Sequence, residues 1–247
     1  MVVMKLESYL LFALLAVFVV SNVGAIVFGH PAPDRTRRAI PWLQRSTSLQ
    51  LAIMAWLFWL LGARPTPLSS YSLLIAVGMS VSFAADLIMA EAARAPKLLA
   101  GGIVVFGIAH LVYLSAYWVG GLALGILNAA IVAGSIIVWL AVGLAAWQWL
   151  VYDPSMPPLL KYGSLGYTLL IAAMAATALA LALVENRLWS LGVGAVLFVV
   201  SDVALGNHIF RRNNWPYVKE VVWLTYIIGQ AGIVWSNLPM LRIILAG

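Results

Sequence analysis

The sequence contains no cysteine, which excludes a disulfide framework, a thiol nucleophile and any metal held by thiolate. Charge is scarce as well. Asp, Glu, Lys and Arg make up 9% of the 247 residues, against about 25% in a soluble domain, so there is too little charge to cover a water-facing globule. The three histidines, His30, His110 and His208, supply no His-x-x-x-His or Glu-x-x-His pair, so the sequence predicts neither a metal nor another cofactor. Acidic residues are fewer still, 8 against 14 basic. In a soluble chain that balance would point to nucleic acid, but here the basic residues sit in short loops between apolar runs, where they orient a membrane protein.

Those runs dominate what is present, since 64% of the residues are hydrophobic. Spans are predicted at 8–28, 46–62, 71–90, 98–118, 121–150, 159–184, 189–208 and 218–244, each long enough for a hydrocarbon core of about 30 Å. The predicted fold class is all-α: one transmembrane domain over 1–247, a polytopic bundle of eight helices in the cell (inner) membrane. Val23 to Ala25 resembles a signal-peptidase site, but the flanking charge has the wrong sense for a leader, and the segment is expected to stay as the first span.

The loops before spans 2, 4, 6 and 8 hold Arg35, Arg37, Arg38, Arg45, Arg94, Lys97, Lys161, Arg211, Arg212 and Lys219. The opposite side holds Lys5, Arg64, Arg187 and Arg242. Basic residues mark cytoplasmic loops, so both termini are expected outside the cytoplasm.

Two aspartates lie inside apolar spans, Asp86 in the run from Ser82 to Ala90 and Asp202 in the run from Gly194 to Phe210. An ionisable group there costs roughly 2.5–3.5 kcal/mol even on the lenient insertion scale, and it normally faces the bundle interior for a functional reason. The two segments align, and each is followed on the next span by a polar residue, His110 or Gln230. The chain thus reads as two parallel four-helix repeats, 1–119 and 120–247. Both aspartates fall within about 13 Å of one surface at 1.5 Å per residue.

On span 4, Phe106, His110, Tyr113 and Tyr117 recur at spacings of four, three and four, and on span 8 Trp223, Tyr226, Gln230 and Asn237 form a second polar and aromatic stripe. Spans 3, 4, 7 and 8 are therefore expected to surround one cavity open to the cytoplasmic leaflet. Ser201 beside Asp202 lacks the Gly-x-Ser-x-Gly elbow of a hydrolase nucleophile, so its expected role is packing or orienting.

Two carboxyl groups in a low-dielectric cavity cannot both ionise cheaply, so one keeps its proton while the other stays charged. That supplies an acid and a base. The pair suits protonation of a poor acceptor, a cation-like intermediate and capture by water, as in glycoside cleavage or vinyl ether hydrolysis. Paired intramembrane aspartates and an internal repeat equally fit a lipid or proton-coupled transporter.

At these residues the sequence resembles the YhhN/TMEM86 family of lysoplasmalogenase-like integral membrane proteins. The resemblance runs through Ser82 to Ala90, Phe106 to Tyr113, Gly194 to Phe210 and Tyr226 to Gln230. It implies hydrolysis of the vinyl ether of a lysoplasmalogen to a fatty aldehyde and a glycerophospho-alcohol. Asp86 and Asp202 would be the catalytic pair, with His110, Tyr113, Ser201, Asn207, Tyr226, Gln230 and Arg211 around the substrate. The implied partners are a vinyl-ether lysophospholipid and membrane lipids, with the phosphate near Arg94, Lys97, Arg211 and Arg212.

Overall fold

The computed structural model describes residues 2–92 and 95–246, and among them helices are joined by turns and loops, with no strand. The helices are α1 (Val2–Val27), α2 (Pro41–Leu57, continued by a π-helical turn Phe58–Ala63), α3 (Ser69–Ala92), α4 (Leu99–Ala123), α5 (Ala129–Ala146, continued by a π-helical turn Trp147–Val151), α6 (Pro158–Val184), α7 (Trp189–Phe210), α8 (Val218–Trp235) and α9 (Asn237–Ala246). Together they make eight segments long and apolar enough to cross a membrane, α8 and α9 forming the last. Arg94 lies outside the described residues.

Three predicted boundaries move, each for a local reason. The fifth span does not begin at 121, because α4 runs on to Ala123 and Gly125, with φ +65°, turns the chain back; glycine adopts that left-handed conformation without steric cost. Asn128 then caps α5 by accepting from the N–H groups of Ala130 and Ile131, both at 3.1 Å. The second span starts earlier, at Pro41, where a missing N–H does no harm. The eighth is broken after Trp235, since Pro239 has no N–H to give the carbonyl four residues before it. At the break Ser236 is held by Tyr71, Oγ to Oη 2.5 Å.

Antiparallel pairs form the core: α3 with α4, and α7 with α8. The second pair has its backbones nearly in contact. A Cβ placed on Gly194 would meet the Gly229 carbonyl oxygen at 2.7 Å, and one on Gly229 would meet the Gly194 oxygen at 2.7 Å. Close backbone approach of this kind is how membrane helices gain packing energy without a hydrophobic drive. It also fixes how far Phe198 on α7 stands from Tyr226 on α8, ring centroids 5.1 Å apart.

One end of the bundle gathers the basic loops. The Glu220 carboxylate at the start of α8 accepts the backbone N–H of Arg38 and that of Ala39, the latter at 2.7 Å. The N–H groups of Tyr217 and Lys219 give to the carbonyls of Arg35 and Thr36 at 2.8 and 3.1 Å. The α1–α2 loop is thereby pinned to the start of α8. Within it, hydrogen bonds from Thr36 hold the exposed Asp34 carboxyl below its ordinary range. At the other end, Arg187 closes the α6–α7 turn on Glu185, and its hydrogen bonds hold that carboxyl down at about 2.

Glu220 is buried, so Glu220→Ala strands the buried N–H of Ala39 and the part-buried N–H of Arg38 and is expected to cost about 1–3 kcal/mol. A fall in Tm for the alanine variant, with Glu220→Gln close to wild type, is the expected result. An unchanged Tm for the alanine variant contradicts it.

Candidate active site

Asp202 stands on α7 eight residues before its end, about 12 Å along the helix axis. Its Oδ2 accepts a hydrogen bond from the Tyr167 hydroxyl of α6. The same hydroxyl oxygen lies 2.8 Å from Nε2 of His110 on α4, and that nitrogen is 3.7 Å from Asp202 Oδ2. Three helices thus contribute one carboxyl, one phenol and one imidazole to a single cluster. His110 is sealed off at 0% exposure, whereas the Asp202 side chain keeps 13%.

That exposed part of Asp202 faces a cavity. Its walls come from α4 (Leu99, Ile103, Phe106), α6 (Ser164, Tyr167, Thr168, Ile171) and α7 (Asp202, Val203, Leu205, Gly206, Ile209, Phe210), with Met89 of α3 and Val151 completing them. Asp202 is its one charged wall residue, and most of the rest are hydrocarbon. The cavity runs from the ends of α4 and α7 nearest the basic loops inward to the cluster. Spans 3, 4, 7 and 8 do not enclose it as expected from the sequence. α6 forms a full wall, while α8 contributes no wall residue.

Asp86 belongs to a second network. It is 8% exposed, and its Oδ2 accepts from Ser48 of α2 at 2.5 Å and from Tyr226 of α8 at 2.9 Å. Gln230 Nε2 lies 3.4 Å from the Tyr226 hydroxyl, and Tyr113 donates to Gln230 Oε1 at 2.8 Å. Asp86, Tyr226, Gln230 and Tyr113 are therefore brought together as one buried chain. Between this chain and the Asp202 cluster stand Phe106 and Phe198, packed edge to face with each other and with Tyr226. Phe198 also meets the His110 ring at 4.8 Å.

The remaining candidates lie away from both. Ser201 donates to the Val222 carbonyl at 2.8 Å and so stitches α7 to α8. Asn207 donates to the Leu150 carbonyl at 2.7 Å, and Arg211 spans the carbonyls of Trp149 and Tyr152 at 2.5 and 3.1 Å. These two side chains supply donors to carbonyls left open where α5 ends in its π-helical turn.

Tyr167 and Ser48 are the site residues that sequence reasoning missed. A signal for Tyr167 existed: Ser164, Tyr167 and Thr168 recur at three and four in an otherwise apolar span, the spacing of one helix face.

Comparison with protein families adds one finding. A family model, the YhhN family, matches residues 41–237. The chain belongs to the YhhN family. The YhhN match takes in Ser48, Asp86, His110, Tyr113, Tyr167, Asp202, Tyr226 and Gln230, so both networks lie inside it, while α1 lies outside. Comparison with curated proteins and with solved structures gave no match.

Proposed function

We propose that this YhhN protein is a membrane-embedded hydrolase that cleaves the vinyl ether of a lysoplasmalogen, releasing a fatty aldehyde and a glycerophospho-alcohol. The observation that carries this reading is the placement of Asp202 on the wall of an otherwise apolar cavity, beside Tyr167 and His110. A hydrocarbon wall suits an alkenyl chain, and such pockets take their specificity from a few placed polar groups. With its phosphate at the basic end of the bundle, among Lys97, Lys161 and Arg212, a lysolipid brings the first bonds of its chain towards the depth of Asp202.

The chemistry follows from the bond. Protonated Asp202 gives its hydrogen to the vinyl carbon remote from oxygen, leaving an oxocarbenium ion beside a carboxylate. Water adds to the carbon bearing oxygen and yields its extra proton to that carboxylate, forming a hemiacetal. The hemiacetal then collapses to aldehyde and alcohol. A preorganised negative charge close to the cation lowers the barrier most where water is excluded. In this reading Asp86, behind Phe106 and Phe198, assists through its hold on Tyr226, while Asp202 meets the reacting atoms.

The test is aldehyde release by purified protein from a 1-alkenyl lysophospholipid, beside the matching 1-acyl and saturated 1-alkyl lipids. Cleavage confined to the alkenyl lipid is expected. Release of fatty acid from the acyl lipid at a comparable rate contradicts the reading.

A further inference from the structure

Tyr167 has one phenolic hydrogen and two neighbours that can use it. Its oxygen touches Asp202 Oδ2 on one side and His110 Nε2, at 2.8 Å, on the other. With the hydrogen directed at Asp202, the phenol oxygen accepts from His110, whose Nε2 must then carry a proton. With it directed at His110, Nε2 must be bare and the Asp202 oxygen must carry the proton. The two arrangements differ by one proton passed along the chain, with hardly any movement of heavy atoms.

A second observation bears on whether the chain can reverse. The tautomer of a histidine is ordinarily set by the partner of its other nitrogen. Here that nitrogen, Nδ1 of His110, is buried and has no hydrogen-bond partner among the described residues. No partner there among the described residues fixes the tautomer. Access is also one-sided, because Tyr167 and Asp202 line the cavity while His110 does not.

We infer that His110, Tyr167 and Asp202 share one mobile proton, with the Tyr167 hydroxyl as the group through which it passes, so that the base complementing Asp202 is His110 and not Asp86. The inference rests on the vinyl-ether reading and assigns the last step of that reaction. As the hemiacetal collapses, Asp202 gives its proton to the alcohol oxygen and the C–O bond breaks. The hemiacetal hydroxyl gives its proton to the Tyr167 oxygen, while the phenolic hydrogen passes to Nε2 of His110. Aldehyde and alcohol leave behind a carboxylate and an imidazolium. The imidazolium proton then returns through Tyr167 to Asp202, which restores the starting state. Over the cycle one water is consumed and no proton is gained or lost. Tyr167 meets the reacting atoms, whereas His110 acts through it.

The active form holds one proton over the cluster, so kcat is expected to be bell-shaped in pH, falling where a second proton is gained and where the shared one is lost. Other titratable groups face the cluster across Phe106 and Phe198, namely Asp86 on α3 and Tyr226 on α8. On the participating helices, Tyr113 of α4 is engaged with Gln230, Lys161 of α6 lies towards the basic loops against the Tyr152 ring, and His208 follows Asp202 on α7.

The experiment measures aldehyde release from a 1-alkenyl lysophospholipid against pH for the wild type, Tyr167→Phe and His110→Gln. Phenylalanine keeps the ring and removes the relay. Glutamine can keep an N–H donor towards Tyr167 but cannot take up a proton. Each variant is expected to lose about 10²-fold in kcat, the scale of one general acid or base, and to lose one limb of the bell. A merely structural role for His110 predicts that His110→Gln keeps both limbs. Near-normal kcat with both limbs intact in either folded variant overturns the relay, and if Tyr167→Phe does not fold, His110→Gln decides alone. No aldehyde from the wild type ends the vinyl-ether reading and this inference with it, whereas an active wild type with unaltered variants ends the relay only.

Discussion

Asp202→Asn is expected to leave the protein folded and to lower kcat for aldehyde release by about 10² to 10⁴-fold, the range for removing a general acid or base. The change is isosteric, and the amide oxygen can still accept from Tyr167, so the contact that joins α6 to α7 survives. What is lost is the transferable proton at the cavity wall. Asp86→Asn is expected to cost far less, about 10-fold, because Asp86 meets Ser48 and Tyr226 and is not part of that wall. Aldehyde assays on both variants, with circular dichroism to confirm helix content, make the comparison. Equal and large losses in both would return the reaction to a two-aspartate pair and contradict the assignment made here. Near-normal turnover of Asp202→Asn would remove Asp202 from the chemistry altogether.

The second large effect is on the fold. Gly229→Val places a branched side chain where even a Cβ meets the Gly194 carbonyl oxygen at 2.7 Å and the Phe198 nitrogen at 3.0 Å. Both are backbone atoms, so no side chain can swing aside, and α7 and α8 must separate. Overpacking of this kind typically costs about 1–3 kcal/mol, with the upper end expected here because neither obstacle is mobile. Separation also moves Tyr226 and Gln230 away from their partners on α3 and α4. A fall in Tm together with loss of activity is the expected result. Gly101→Ala serves as the control, since a Cβ there meets nothing within 4 Å. If Gly229→Val melts like the wild type, the close approach of α7 and α8 is wrong.

What the residues disclosed follows from which physical signals act over short range. Length and hydropathy are local, so the eight spans and the all-α class were readable, as were the two aspartates that stand out from apolar surroundings. The stripe on α4 and that of Trp223, Tyr226 and Gln230 on α8 were readable for the same reason, and Tyr226 does meet Asp86. The boundary between α4 and α5 was not, because Leu122 to Leu127 contains no charge and the turn there depends on the conformation of Gly125.

Partner choice is a different kind of information. The family resemblance implies Asn207 and Arg211 around the substrate, but their reach brings them to the open carbonyls of another helix. Tyr167 sits in a span without an acidic residue, so only the faint three-and-four spacing of Ser164, Tyr167 and Thr168 marked it. The apolar layer between the carboxyls depends on Phe106 and Phe198 meeting edge to face, a contact across two helices far apart in the chain.

The measurement that tests the central claim most directly is hydrolysis of a 1-alkenyl lysophospholipid in D₂O by wild-type protein in sealed vesicles, with products trapped at once and read by mass spectrometry. Proton transfer to carbon predicts a fatty aldehyde with one deuterium on the carbon next to the carbonyl, and a glycerophospho-alcohol in equal amount. Aldehyde without that deuterium would contradict protonation at carbon. Lipid recovered intact on the opposite side of the membrane, with no aldehyde formed, would identify a carrier and contradict the account as a whole.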